Sequence, residues 1–195
     1  MSEQELIQAA RSGDQKAFAA LVEANQAMVY SLAYRMTGNS EDAADLAQEA
    51  FLNAWRGLAR FQGQASFSTW LYRLTSNACI DFLRREKRRA TLSLTLEPEE
   101  EESREAEVAD ERWSPEALLD RQESRQAVRQ ALTQLSDEHR EVLLLRELEG
   151  LSYREIAQAL DLEEGTVKSR IARARLALRD FLLQSGNFFP PPASK

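Results

Sequence analysis

The stretch EPEEEESREAEVADERW, from Glu97 to Trp113, constrains the fold of this chain more than any other. It carries nine acids (Glu97, Glu99, Glu100, Glu101, Glu102, Glu105, Glu107, Asp110 and Glu111) against two bases, Arg104 and Arg112. Like charges repel, and a segment without an apolar face has nothing to bury. The stretch therefore reads as a linker that splits the chain into two parts. We expect an N-terminal domain over residues 1–92, an acidic flexible linker over 93–114, a C-terminal domain over 115–185 and a flexible tail over 186–195. The acidic segment alone accounts for the formal net charge of -7, so the flanking parts balance and overall acidity says nothing against a polyanionic partner. The linker reads either as a solvating spacer or as a screen for basic surfaces.

Only seven glycines and five prolines punctuate the 195 residues, which favours helix. No convincing alternating strand pattern occurs. The expected fold class is all-α, with two small helical domains, the second containing a helix-turn-helix. Gly13-Asp14 and Thr37-Gly38-Asn39-Ser40 break the first part into helices near 2–11, 15–36 and 41–58. FQGQASFS is then a loop, and a long helix runs from about Ser68 to Arg89. In the second part helices begin near Pro115, Ser136, Ser152 and Glu164. NFFPPPASK cannot continue a helix through its prolines.

No apolar run reaches the roughly 18 residues a membrane span needs, and MSEQELIQAARSGD has no signal-peptide form. With a single cysteine, Cys79, no internal disulfide is available. These features lead to the expectation of a cytoplasmic protein. One histidine, His139, leaves almost no material for a His/Cys metal cluster or a Ser-His-Asp triad, and no glycine loop cradles phosphate. We expect no enzyme activity, no metal and no cofactor.

LSYREIAQALDLEEGTVKSRIARARLAL has helix-turn-helix form. Tyr153 to Leu160 make a short helix with Ile156, Ala157 and Leu160 inward, and Asp161 to Glu163 make the turn. Asp161 stands where glycine is often found in such turns, and Asp tolerates left-handed geometry better than most residues. At about 100° per residue, Val167, Ile171, Ala174 and Leu178 form one stripe of the second helix. Ser169 and Ala172 face away from it, flanked by Lys168, Arg173 and Arg175. Small residues let such a helix approach a major groove, and the flanking cations meet guanine edges or phosphates. An amphipathic helix with a solvated basic face is the plainer alternative.

Two N-terminal stretches carry comparable signals. In DLAQEAFLNAWRGLARF, Leu46, Ala50, Ala54 and Leu58 face one way, while Asp45, Gln48, Glu49, Leu52 and Arg56 face another. An apolar Leu52 among charges fits a protein contact site, although single exposed leucines are common. In FSTWLYRLTSNACIDFLRREKRR, Leu71, Leu74, Ala78 and Phe82 form the inward stripe. Trp70, Arg73, Asn77, Arg84 and Arg88 share the opposite side. Aromatic, amide and basic groups on one helix suit unstacked bases and their backbone; the competing reading places Trp70 in the core and the arginines in solvent. The preceding polar loop could receive a flipped base.

DLAQEAFLNAWRGL, FQGQASFSTWLYRLTSNACIDFLRR and LRELEGLSYREIAQALDLEEGTVKSRIARAR, in that order, resemble the extracytoplasmic-function sigma factors, small subunits of bacterial RNA polymerase. The resemblance covers both domains. It implies that Asp45 to Leu58, with Asp45, Gln48, Glu49, Leu52 and Arg56, bind the clamp coiled coil of the polymerase's largest subunit. It implies that Asn77, with the Phe61 to Thr69 loop, captures a flipped non-template base of the start-proximal promoter element, with Phe67, Trp70, Arg73, Arg84 and Arg88 around it. Tyr153 to Ala172 would read the upstream element. Lys168, Ser169, Ala172 and Arg173 would lie at bases, Arg170 and Arg175 nearer phosphates, with Tyr153 and Thr166 in the same interface. The implied partners are core RNA polymerase, promoter DNA and an anti-sigma factor; the implied context is a stress response. A sigma-like decoy that sequesters an anti-sigma protein, or a conventional helix-turn-helix regulator, are the rival readings.

Overall fold

The computed structural model of the chain describes residues 1–93 and 126–184. The linker expected over 93–114, the helix expected to begin near Pro115 and the tail lie wholly or largely outside the described residues. Helices α1 (Glu3–Arg11), α2 (Gln15–Thr37) and α3 (Ser40–Gly57) lead through a 3-10 turn (Leu58–Arg60) and a loop into the long α4 (Phe67–Ser93). Residues 126–134 are helical and are called α5. Then come α6 (Asp137–Glu147), α7 (Tyr153–Leu160) and α8 (Glu164–Gln184). Among the described residues there is no strand, and no helix is long and apolar enough to cross a membrane.

The sequence places the helix starts through caps. The Ser2 hydroxyl accepts from the Glu5 N–H at 3.3 Å while the Glu5 carboxylate accepts from the Ser2 N–H at 2.9 Å, a reciprocal capping box. The Asp14 carboxylate takes the Lys16 and Ala17 N–H groups, and the Asn39 amide oxygen takes those of Glu41 and Asp42. Ser136 caps α6 and Ser152 opens α7 with a second box to Glu155; these bonds to Ser152 hold the Glu155 carboxyl below its ordinary pKa. Gly38, at φ 77°, ends α2 in the left-handed region that costs other residues most. The expected long helix from Ser68 to Arg89 runs further, to Ser93.

The first domain closes around Leu21, Val29, Ala50, Ala54, Leu58, Phe67 and Leu71, with α1 contributing Ile7 and Ala10. The stripe Leu46, Ala50, Ala54 and Leu58 is buried throughout. On α4, Leu71 and Ala78 are buried and Leu74 and Phe82 half-buried. The same helix also buries Tyr72, Thr75, Ser76 and Cys79. That second buried face has its partner in the other domain. One apolar cluster draws Leu32, Met36, Tyr72 and Cys79 from the first domain together with Leu144, Leu145, Ile156 and Ile171 from the second. The domains are thus packed against each other, with α7 lying on α4 and α6 touching α2 and α4. Burial pushes the Cys79 thiol up to about 12, so it stays neutral and unreactive in this core.

Candidate nucleic-acid interface

Helix α3 presents Asp45, Gln48, Glu49, Leu52 and Arg56, all exposed, on the side away from its buried stripe. Leu52 is 54% exposed among those charges. Trp55 extends the apolar part of this surface and rests on the Phe18 ring, centroids 4.8 Å apart. Sequence reasoning missed Trp55, although its position three residues after Leu52 puts the two on neighbouring parts of one helix face.

The loop before α4 is held by an aromatic triad. Phe61, Phe67 and Trp70 have ring centroids 4.9 to 5.9 Å apart. Trp70 also lies against the end of α3, where a Cβ on Gly57 would stand 3.2 Å from the indole. A larger residue at 57 would require the ring to shift by a few tenths of an ångström. Ser66 opens α4 by accepting from the Thr69 N–H at 3.1 Å and by pairing with the Ser68 and Thr69 hydroxyls. Between this loop and α1 lies an open cavity of about 610 Å³, lined by Gln4, Gln8, Arg11, Phe61, Gln62 and Gly63 among others.

Arg73, Asn77, Arg84 and Arg88 are exposed along α4, so the amide and the guanidinium groups are open to a ligand. Phe67 departs from expectation. Its side chain is 1% exposed, because it fills the space between the loop and the domain core. It supports the loop from beneath and offers no face to DNA. Trp70 is half-buried by the same packing, so it belongs partly to the core.

The second candidate surface is the α7–α8 pair. Asp161 adopts φ 55°, ψ 49° and ends α7 in the left-handed region, so the turn forms without glycine. The Leu162 N–H donates to the Ala157 carbonyl at 2.9 Å, which fixes the angle at which α8 departs. Val167, Ile171 and Ala174 are buried, and Leu178 is half-buried. The inward set of α7 is Ile156 and Ala159; Ala157 and Leu160 are half-buried. Lys168, Ser169, Ala172, Arg173 and Arg175 face outward, while Tyr153, Thr166 and Arg170 are half-buried at the edge of that face. Tyr153 lies beneath two cations, Arg146 at 4.8 Å and Lys168 at 5.6 Å from its ring centroid, which orients Lys168 across the helix pair.

Intramolecular carboxylates occupy several of these cations. Lys168 pairs with Glu164 at 2.9 Å, Arg170 with Glu138 at 3.0 Å and Arg175 with Glu147 through Nε at 3.0 Å. Among the described residues no ion pair engages Arg173. The exposed pairs are weak in water, so a phosphate can replace these carboxylates at little cost. The arrangement supplies two separate faces with exposed cations, one along α4 and the other on α8.

A model of sigma-70 region 2 matches residues 21–89, and a model of sigma-70 region 4 matches residues 125–178. The chain is 40% identical over 178 residues to the ECF RNA polymerase sigma-E factor of Escherichia coli strain K12, covering 91% of this chain and 93% of that protein. It is 36% identical over 173 residues to the ECF RNA polymerase sigma factor SigW of Bacillus subtilis strain 168, covering 89% and 92%. Among solved structures, CnrH in complex with the cytosolic domain of CnrY matches with a TM-score of 0.66 and 28% identity, over 94% of this chain and 97% of that one. With two family models matched on its two helical domains and relatives matched over most of both chains, this protein belongs to the ECF sigma factors of bacterial RNA polymerase.

Proposed function

We propose that this sigma factor binds core RNA polymerase through α3, captures an unpaired non-template base beside α4 and reads the upstream promoter element with α8. The domains doing so are residues 1–92 and 115–185. Leu52, ringed by Asp45, Gln48, Glu49 and Arg56, is the polymerase contact. Asn77 holds the edge of the flipped base while Arg73, Arg84 and Arg88 neutralise the strand. Phe67 keeps the loop in place from below. On α8, Lys168, Ser169, Ala172 and Arg173 face base edges, Arg170 and Arg175 take phosphates, and Tyr153 and Thr166 border the contact. The protein makes and breaks no covalent bond. Unstacking costs on the order of a few kcal/mol per base, and base capture offsets it.

The observation that carries this reading is the exposure of Asn77 on the same helix as the exposed Arg73, Arg84 and Arg88. We further propose that the protein works in the cytoplasm, where its polymerase is, and that an anti-sigma factor restrains it. CnrH is held by the cytosolic domain of CnrY, and a partner of that kind fits this chain. The test separates binding from opening. Asn77→Ala should leave the DNase footprint of the closed complex near wild type and reduce permanganate reactivity of the melted strand by about tenfold, the effect of about 1.4 kcal/mol. Equal loss in both assays removes base capture from Asn77.

A further inference from the structure

The second half of α8 keeps two leucines in the open. Leu176 is 52% and Leu183 50% exposed. At about 100° per residue both lie opposite Val167, Ile171 and Ala174, the buried stripe that holds α8 in its own domain. Single exposed leucines are common. These two share one side of the helix and stand about 10 Å apart along it. Arg179 and Asp180 lie in the interval and are paired with each other, Nη2 to carboxylate at 2.8 Å, so the strip between the leucines carries no uncompensated charge.

DNA does not account for this strip. Helix α8 runs from Glu164 to Gln184, a length of about 30 Å, against a major groove about 12 Å wide. The side chains we place in the groove, Lys168 to Arg173, take up the first half of the helix. Leu176 and Leu183 stand beyond it, where a duplex offers phosphate and sugar and nothing apolar to bury them.

The chain itself holds a cover of matching length. It continues from Gln184 as SGNFFPPP, Ser185 to Pro192. Gly186 stands just past the helix end, where a glycine in left-handed geometry commonly turns the chain back. Phe188 and Phe189 are large and apolar. Pro190, Pro191 and Pro192 favour the extended polyproline form, which advances about 3.1 Å per residue. Phe189 to Pro192 then spans about 9 Å, close to the spacing of the two leucines. A segment stiffened by prolines loses little further freedom when it docks.

We propose that this tail segment turns back at Gly186 and docks antiparallel on the outer side of α8, with Phe189 against Leu183 and Pro192 against Leu176. The docked segment stops short of Arg173. It closes the second half of α8 to other proteins and leaves the DNA-facing half open. The flexibility expected of residues 186–195 then begins only after Pro192.

Photocrosslinking tests it. The full chain with p-benzoylphenylalanine in place of Phe189 is irradiated across a dilution series, and the crosslinked peptides are located by mass spectrometry. Docking gives a one-chain product that joins residue 189 to the segment 176–184, in a yield that does not change on dilution. Leu176→Glu combined with Leu183→Glu lowers that yield about tenfold, the scale of burying one leucine. The melting curve of that variant stays near wild type, because both sites are exposed. A product joining two chains, with a yield that falls on dilution, gives the strip to a second copy and overturns the proposal. A one-chain product elsewhere, or a yield that the two glutamates leave unchanged, overturns it as well.

Discussion

Asp161 shows how one residue can decide the geometry of a helix-turn-helix. It sits at φ 55°, the one non-glycine residue with positive φ among the described residues, and the direction of α8 depends on it. Left-handed backbone costs an ordinary L-residue roughly 1–2 kcal/mol, less for Asp, whose short side chain bonds locally. Asp161→Ala should therefore destabilise the protein by about 1 kcal/mol, and Asp161→Gly should leave it unchanged or slightly more stable. Thermal unfolding of the two variants checks this; an alanine variant as stable as the glycine variant contradicts it. This residue was legible in the sequence, because turn position and residue type agreed. Phe67 was not. A phenylalanine at the start of a helix reads equally well as a stacking group or as a core anchor, and only the triad with Phe61 and Trp70 settles it. Gly57 is similar: nothing in its neighbours in sequence announces the indole that needs its missing side chain.

At the scale of elements the sequence was informative wherever a cap or a period specified the answer. Asp14, Asn39, Ser136 and Ser152 each begin a helix with a side-chain hydrogen bond, and the buried faces of α3 and α8 follow their apolar spacing. The period failed on α4, which buries Tyr72, Thr75, Ser76 and Cys79 as well as the expected stripe. These residues are mixed in polarity, so no hydrophobic signal marks them. For α3 the solvent face is the one we propose to be functional. Leu52→Ala should weaken binding to core polymerase by about tenfold, the scale of an interface anchor, while unfolding shifts by less than about 0.5 kcal/mol, as for an exposed site. Fluorescence titration with core enzyme and a melting curve read the two separately. Unchanged affinity moves the polymerase contact away from this leucine.

The whole molecule adds what neither domain holds alone. Glu141 is buried where the domains meet, and burial raises its carboxyl to about 7, well above the ordinary 4.5. The groups facing it are Glu138 on its own helix, Ser76, Cys79, Asp81 and Arg84 on α4, and Arg170 on α8. Ser76 Oγ lies beside the carboxyl, buried and without a close hydrogen-bond partner. The folded chain thus keeps a proton on this carboxyl that the unfolded chain releases. This group's contribution to stability is fully present at low pH, is lost as pH rises from about 4.5 to about 7, and changes no further above that. Raising the pH from 6 to 8 should lower the unfolding free energy by about 1.4 kcal/mol, and Glu141→Gln should flatten the profile. A wild-type profile as flat as that of Glu141→Gln contradicts the coupling. None of this was legible in the sequence, because a glutamate in LSDEHREVLLL reads as one more charge at a helix start. Its burial comes from a contact between segments more than fifty residues apart.

Run-off transcription from a library of randomised promoters, with purified core polymerase in the presence and absence of this protein, tests the central assignment most directly. The expected result is a set of transcripts that depend on the protein, with templates sharing two separated sequence elements. Asn77→Ala is expected to abolish most of that output without altering the upstream element. Transcription that is the same with and without the protein, under conditions where it binds core polymerase, contradicts the assignment.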